Sequence, residues 1–277
     1  MKNLIVRSLS GIVYVALIIG AILAGNPWFT LLMAIFVLLG MIEFQKITMK
    51  CSGGACTLGR VLDILAALSL CCLPAVSEYS FDAILGLISF LIIYTVLRCI
   101  VALYDKSGHA LLNTAMSLMS VGYIGLSIGL LNTATSFITT KGMTLVLAMF
   151  VMIWLNDTGA FCVGSLLGRH KLFERLSPKK SWEGFFGGLA FCIAAGYLCS
   201  AWLHLPVFGM VEWMVYGVIV CLFATVGDLF ESLIKRTHGI KDSGNLIPGH
   251  GGILDRIDSL LFVAPATAFF MVISDVI

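Results

Sequence analysis

Five carboxylates stand out in the 277-residue chain because they lie in or beside strongly apolar runs: Asp157, Asp228, Glu231, Asp255 and Asp258. An ionisable group in a membrane span costs about 2.5–3.5 kcal/mol on insertion scales, so such a group signals function by default. Asp228 and Glu231 are spaced i, i+3, as are Asp255 and Asp258, which puts each pair on one helix face. Two carboxylates from each of two helices suit a hard divalent cation. Magnesium takes oxygen ligands, keeps several waters and bridges one or two carboxylates to substrate phosphates. Asp228, Asp255 and Asp258 are therefore expected to hold the metal. The competing reading pairs these acids with Lys235, Arg236 and Arg256 as structural salt bridges. Glu231 and Lys235 form a ready i, i+4 pair, and for Glu231 both readings stand.

Two further stretches carry phosphate chemistry. Ser177-Pro178-Lys179-Lys180-Ser181-Trp182-Glu183-Gly184 reads as a helix start, with Ser177 as N-cap and Pro178 in the first helical position. It presents Lys179, Lys180 and Ser181 where the helix dipole also favours anions. Pro248-Gly249-His250-Gly251-Gly252 precedes the last apolar run, and such a loop brings bare backbone N–H groups close to phosphate oxygens. His250 is the histidine placed to act as acid or base. A phosphate nucleophile is already ionised at neutral pH, so a phosphate or turn contact is the alternative role for it. Taken together, these residues describe a metal-dependent phosphoryl or nucleotidyl transfer, in which catalysis is mainly positioning and charge neutralisation. Two other readings stay open: a different membrane lipid phosphotransferase, and an ion-coupled transporter. A transporter places its site near the midplane between repeats, and no internal repeat is visible.

The elements that must position these residues are membrane helices. The chain is 60% hydrophobic and 12% charged, against roughly 25% charged in a soluble domain. That excludes a soluble globular enzyme and a disordered chain, and a net charge of +2 gives no basic face for nucleic acid. Nine apolar runs approach the 20 or so residues a helix needs to span a bilayer: 5–25, 27–43, 61–77, 82–103, 110–131, 143–164, 184–204, 211–233 and 258–276. The first could pass for a cleaved signal peptide, but eight further spans favour an uncleaved helix. With the N-terminus cytoplasmic, Lys141 alone of the 17 Lys and Arg falls in an outer loop. At 1.5 Å per residue, Asp157 then lies about 21 Å and Asp228 about 26 Å below the outer surface. Asp255 and Asp258 start the ninth span at the inner face, so carboxylates from three helices converge at one depth.

The expected fold class is an all-α polytopic helix bundle in the cell inner membrane, active site facing the cytoplasm. Residues 1–142 form scaffold spans whose charges act mostly as helix-end anchors, and 143–277 the catalytic half of one integral unit. Gly122, Gly125, Gly129, Gly164 and Gly168 offer faces for close packing within the bundle, or the seam of a homodimer. The nine cysteines read as small apolar packing residues.

The run Ser232 to Asp258 reads S-L-I-K-R-T-H-G-I-K-D-S-G-N-L-I-P-G-H-G-G-I-L-D-R-I-D. It resembles the motif of the phosphatidate cytidylyltransferases (CDP-diacylglycerol synthases) at every specified position. Gly227-Asp228-Leu229-Phe230-Glu231, Asn156-Asp157-Thr158 and the 177–184 stretch look like the same family. The resemblance implies a reaction in which CTP and phosphatidate, a membrane lipid, give CDP-diacylglycerol and pyrophosphate. It also implies magnesium, with a potassium ion beside it. Carried onto this chain, Asp228, Asp255 and Asp258 would hold metal. Lys179, Lys180, Lys235, Arg236 and Lys241 would neutralise triphosphate and lipid phosphate, with Arg256 beside them. Asp242 would orient the motif loop, and Asn156 and Asp157 would line the cavity.

Overall fold

A computed structural model describes residues 2–49, 54–72, 81–137, 139–203, 208–246 and 251–274. Among them lie α1 (Lys2–Ala24), α2 (Asn26–Thr48), α3 (Gly54–Cys71), α4 (Phe81–Leu103), α5 (Ala110–Ser120), α6 (Ser127–Phe137) and α7 (Thr139–Leu167). A hairpin of β1 (Lys171–Phe173) and β2 (Ser177–Ser181) follows, then α8 (Trp182–Trp202), α9 (Met210–Thr237) and α10 (Leu254–Ile273). A π-helical turn, Val121–Leu126, joins α5 to α6 as one continuous span. Eight helical stretches are long and apolar enough to cross a membrane, and Leu9–Ala24 of α1 adds a shorter one. The protein is a polytopic all-α membrane protein, and each expected span has its helix.

Several boundaries move, two of them for one physical reason. The third span was expected to start after Arg60, yet α3 begins at Gly54 and takes Arg60 inside. The eighth was expected to stop at 233, yet α9 runs to Thr237 and includes Lys235. In both cases the charged residue finds partners on neighbouring helices, so it does not end the span.

The chain forms two compact units, Met1–Ser136 with Asp242–Leu254, and Phe137–Lys241 with Asp255–Ile277. The segment 242–254, read above as part of the C-terminal half, thus packs with the first unit. Inside that unit the apolar face of α2 buries Phe29, Met33, Val37, Met41 and Phe44. Gly125 of the π turn lies so close to α3 that a Cβ would stand 2.7 Å from the Ala67 Cα. Asn132 donates from Nδ2 to the Cys71 carbonyl at 2.8 Å, satisfying one of the orphan acceptors at the end of α3.

The charges of α3 and α4 correct the view of the first half as scaffold with helix-end anchors. Asp63 and Arg98 are buried, and the Arg98 Nε lies 3.0 Å from the Asp63 Oδ1. Tyr94 donates its hydroxyl to that same oxygen at 2.8 Å, and Ser117 donates to Oδ2 at 2.7 Å. Gly59 leaves the space the guanidinium fills, since a Cβ there would lie 2.8 Å from the Arg98 Cζ. A buried pair survives only when further hydrogen bonds satisfy it, and Tyr94 and Ser117 supply them to the Asp63 carboxylate.

The second unit is held by glycine contacts. A Cβ at Gly159 would stand 2.9 Å from the Gly187 carbonyl oxygen, and one at Gly184 would stand 2.9 Å from that of Ala160. So α7 and α8 touch backbone to backbone, the packing that small residues permit between membrane helices. Gly164 belongs to this seam, with Gly184 Cα 3.3 Å from its Cβ position. Gly125 and Gly164 therefore serve bundle packing. Among the described residues seven cysteines are free, three of them buried. Cys56 is disulfide-bonded, which departs from the packing role expected for all nine.

Candidate active site

The start of α8 differs from the sequence reading. Ser177 to Ser181 form an antiparallel strand against β1, and Trp182 opens the helix. The N-cap is Ser181, whose Oγ accepts from the Gly184 N–H at 3.1 Å. Pro178 is tolerated because β2 is one of only two strands in its sheet and so lies at an edge. Glu183 accepts from the backbone N–H of Arg169 at 3.1 Å and from His170 Nδ1 at 2.6 Å, tying the loop before β1 to the first turn of α8. Lys179 and Lys180 are thus presented by a braced strand instead of a helical turn.

A cavity of about 480 Å³ opens within the second unit. Its polar wall carries Asn156 and Asp157 of α7, Lys179, Lys180 and Ser181 of β2, and Thr225 and Asp228 of α9. Ala160, Phe161, Leu172 and Phe185 supply an apolar side. Lys180 Nζ sits 2.5 Å from Asp228 Oδ2. Asn156 is buried and packs against Gly188, where a Cβ would stand 2.9 Å from the Asn156 carbonyl oxygen.

Behind this wall the five carboxylates run as a chain of mutually interacting charges. The charge of Asp228 acts on Asp157, and both act on Asp258. Asp258 and Asp255 both act on Glu231. One lysine compensates each end. Lys180 pairs with Asp228 and its charge also acts on Asp157 and Asp258, whereas Lys235 pairs with Glu231 and lies 2.6 Å from Asp255 Oδ1. Asp228 and Asp258 are brought together by contact between α9 and α10, where a Cβ at Gly227 would stand 2.7 Å from the Asp258 carbonyl oxygen. Asp258 Oδ1 also accepts from the Ser259 N–H at 2.5 Å.

Asp157 and Asp228 line the cavity, Asp258 lies across the α9–α10 contact at Gly227, and Glu231 and Asp255 hold Lys235. Lys235 pairs with both of these acids, the arrangement that the ion-pair reading of Glu231 expects. Arg236 is turned to backbone, donating from Nη1 to the Ile240 carbonyl at 3.0 Å. Arg256 lies close enough for its charge to act on Asp157. Lys241 and Asp242 are exposed beyond α9. His250 lies outside the described residues. Gly251 has φ +84°, a left-handed turn that glycine favours. Gly252 faces a carboxylate, since a Cβ there would lie 2.6 Å from Glu43 Cδ. Among the described residues no group of three or more His, Cys, Asp and Glu side chains forms a ready metal cage.

Sequence reasoning missed Thr225, a cavity residue with no charge to mark it, and Glu43. Glu43 of α2 accepts from the backbone of Ile253 and Leu254. A lone acid in an apolar helix was the available signal for it.

The profile of the cytidylyltransferase family matches residues 5–274. The chain belongs to that family. A phosphatidate cytidylyltransferase of Staphylococcus haemolyticus (strain JCSC1435) is 34% identical over 271 residues, covering 94% of this chain and 96% of the relative. One of Staphylococcus aureus (strain COL) is 40% identical over 194 residues, 69% of each chain. One of Staphylococcus saprophyticus is 36% identical over 192 residues, 69% of this chain and 68% of the relative. The chain is accordingly a nucleotidyltransferase built on membrane helices.

Proposed function

We propose that the protein transfers the cytidylyl group of CTP to phosphatidate at the cytoplasmic leaflet of the cell membrane. The products are CDP-diacylglycerol, for phospholipid synthesis, and pyrophosphate. The observation that carries this reading is the cavity itself. It sets Lys179 and Lys180 beside Asp157 and Asp228, with an apolar side of Phe161, Leu172 and Phe185. Such a lining suits a phosphorylated headgroup attached to acyl chains. Relatives that match nearly the whole length carry the same activity in their names. The asymmetry of Lys and Arg supports a cytoplasmic N-terminus and an active site on that side.

In the reaction a non-bridging oxygen of the lipid phosphate attacks the α-phosphorus of CTP. The bond from that phosphorus to the bridging oxygen breaks, and pyrophosphate leaves with its electron pair. The nucleophile is already an anion, so the chain need not remove a proton from it. Lys180 and Lys179 draw the phosphates into the cavity and offset their mutual repulsion. Asn156, buried on α7 and placed by Gly188, supplies a fixed polar wall for orientation. Lys235 sets the register of α9 against α10 through Glu231 and Asp255, and so holds Asp228 near Asp258.

The donor set at the cavity end fits magnesium: hard carboxylate oxygens of Asp228 and Asp258, with Asp157 alongside. Two carboxylates suffice where waters and substrate phosphates complete the shell, so the lack of a three-acid cage among the described residues is compatible. Bound there, the ion would neutralise charge on the leaving pyrophosphate. A potassium ion beside it belongs to the same proposal.

The test uses detergent-purified full-length protein with magnesium, potassium, labelled CTP and phosphatidate. Phosphatidate-dependent appearance of both CDP-lipid and pyrophosphate is expected. Intact protein that makes neither would overturn the acceptor and move the reading to another lipid.

A further inference from the structure

Glu43 belongs to α2, within the first unit, and its carboxylate is fully engaged by a segment some 200 residues downstream. Oε1 accepts from the Ile253 N–H at 3.0 Å, and Oε2 accepts from the Leu254 N–H at 2.9 Å. Ser243 donates its hydroxyl to Oε2, also at 2.9 Å. The first N–H groups of a helix have no intrahelical acceptor, and α10 begins at Leu254. A side chain just before the helix normally supplies that acceptor. Here Ile253 occupies that place and offers none, and Glu43 provides it from another helix. A negative carboxylate is also favoured at the positive end of the helix dipole.

Two glycines of the segment, Gly244 and Gly252, are explained by the same group. A Cβ at Gly244 would stand 2.6 Å from Glu43 Oε1, and one at Gly252 would stand 2.6 Å from Glu43 Cδ. Any side chain at either place would push the carboxylate off its donors. Ser243, Ile253 and Leu254 are all buried, so donors left unpaired there would be costly.

We infer that Glu43 is a positioning residue for the transfer reaction: it fixes the start of α10, and with it the placement of Asp258 one turn further on. Glu43 touches neither substrate nor reacting phosphorus. It acts by deciding where the helix begins and which way its first turn faces. The inference rests on the proposed cytidylyl transfer for its activity readout, but not for its structural one.

The experiment compares Glu43→Gln, Glu43→Asp and the unsubstituted full-length protein in detergent. Gln keeps the volume but turns an NH2 donor toward one of the three donors. A displacement near 1 Å at a reacting centre costs roughly 100-fold. Glu43→Gln is therefore expected to lower kcat by about that factor with KM for CTP little changed, and Glu43→Asp to recover part of it. Amide hydrogen exchange at Ile253 and Leu254 should rise in Glu43→Gln. Wild-type turnover in folded Glu43→Gln would overturn the inference. So would an activity loss matched by an equal loss of folded protein, or unchanged exchange at those amides. Failure of the unsubstituted protein to make CDP-lipid would sink the substrate reading alone, because the exchange measurement needs no substrate.

Discussion

Lys180 is the cation best placed to meet a phosphate, and replacing it by Met isolates that role. Its Nζ is 2.5 Å from Asp228, but the two side chains are 27% and 35% exposed. A pair this exposed contributes about 0–1 kcal/mol to stability, so Lys180→Met should unfold within a few degrees of wild type. Binding should respond differently. A hydrogen bond to a charged group is worth about 1.5–3 kcal/mol, which is roughly a 10- to 150-fold rise in KM. The rise should appear for CTP, phosphatidate or both. Lys180 also acts on Asp157 and Asp258. Removing it takes a competing cation from the carboxylates, so half-maximal activity should need less magnesium, not more. Initial rates in mixed micelles, varying CTP, phosphatidate and magnesium in turn, measure all three. Unchanged KM for both substrates at wild-type turnover would refute the phosphate role. A higher magnesium requirement would refute the competition argument.

Three further outcomes are expected. Asp258→Asn keeps the side-chain volume and removes a carboxylate charge beside Asp228, so turnover should vanish while folded yield and melting temperature hold; a purified variant with normal turnover would sink the metal assignment. Lys235→Met leaves Glu231, which is fully buried, without its cation; removing one member of a buried pair costs about 3–5 kcal/mol, visible as a lower denaturation midpoint. Asp63→Ala strands Arg98 in the bundle with a similar expected loss, and Asp63→Leu with Arg98→Met should recover most of it; a double variant no better than the single would show the cost lies elsewhere.

Much of the architecture was legible in the chain because a bilayer leaves few options. With no water to satisfy backbone groups, an apolar run near 20 residues must be a helix. The nine expected spans followed from composition alone. The candidate site acids were legible for the same reason, since Asp157, Asp228 and Asp258 carry a burial cost that marks them out in apolar spans. The 232–258 motif identified the family before any geometry was known.

Pairing was not legible. Sequence spacing shows which residues share a helix face, but not which side chain on another helix reaches that face. Hence Asp228, Asp255 and Asp258 looked equivalent in spacing, whereas in the structure Asp228 is held by Lys180 at 2.5 Å and Asp255 by Lys235 at 2.6 Å. Ser177 looked like a helix cap until its strand paired with β1 and moved the cap to Ser181. Gly252 looked like a phosphate cradle until Glu43, about 200 residues away, was found in the space it leaves. Local sequence set the helices, because burial of apolar side chains and satisfaction of the backbone act along one segment. Tertiary structure assigned the charges, because an ion pair between helices depends on distances of a few ångströms that no single segment encodes.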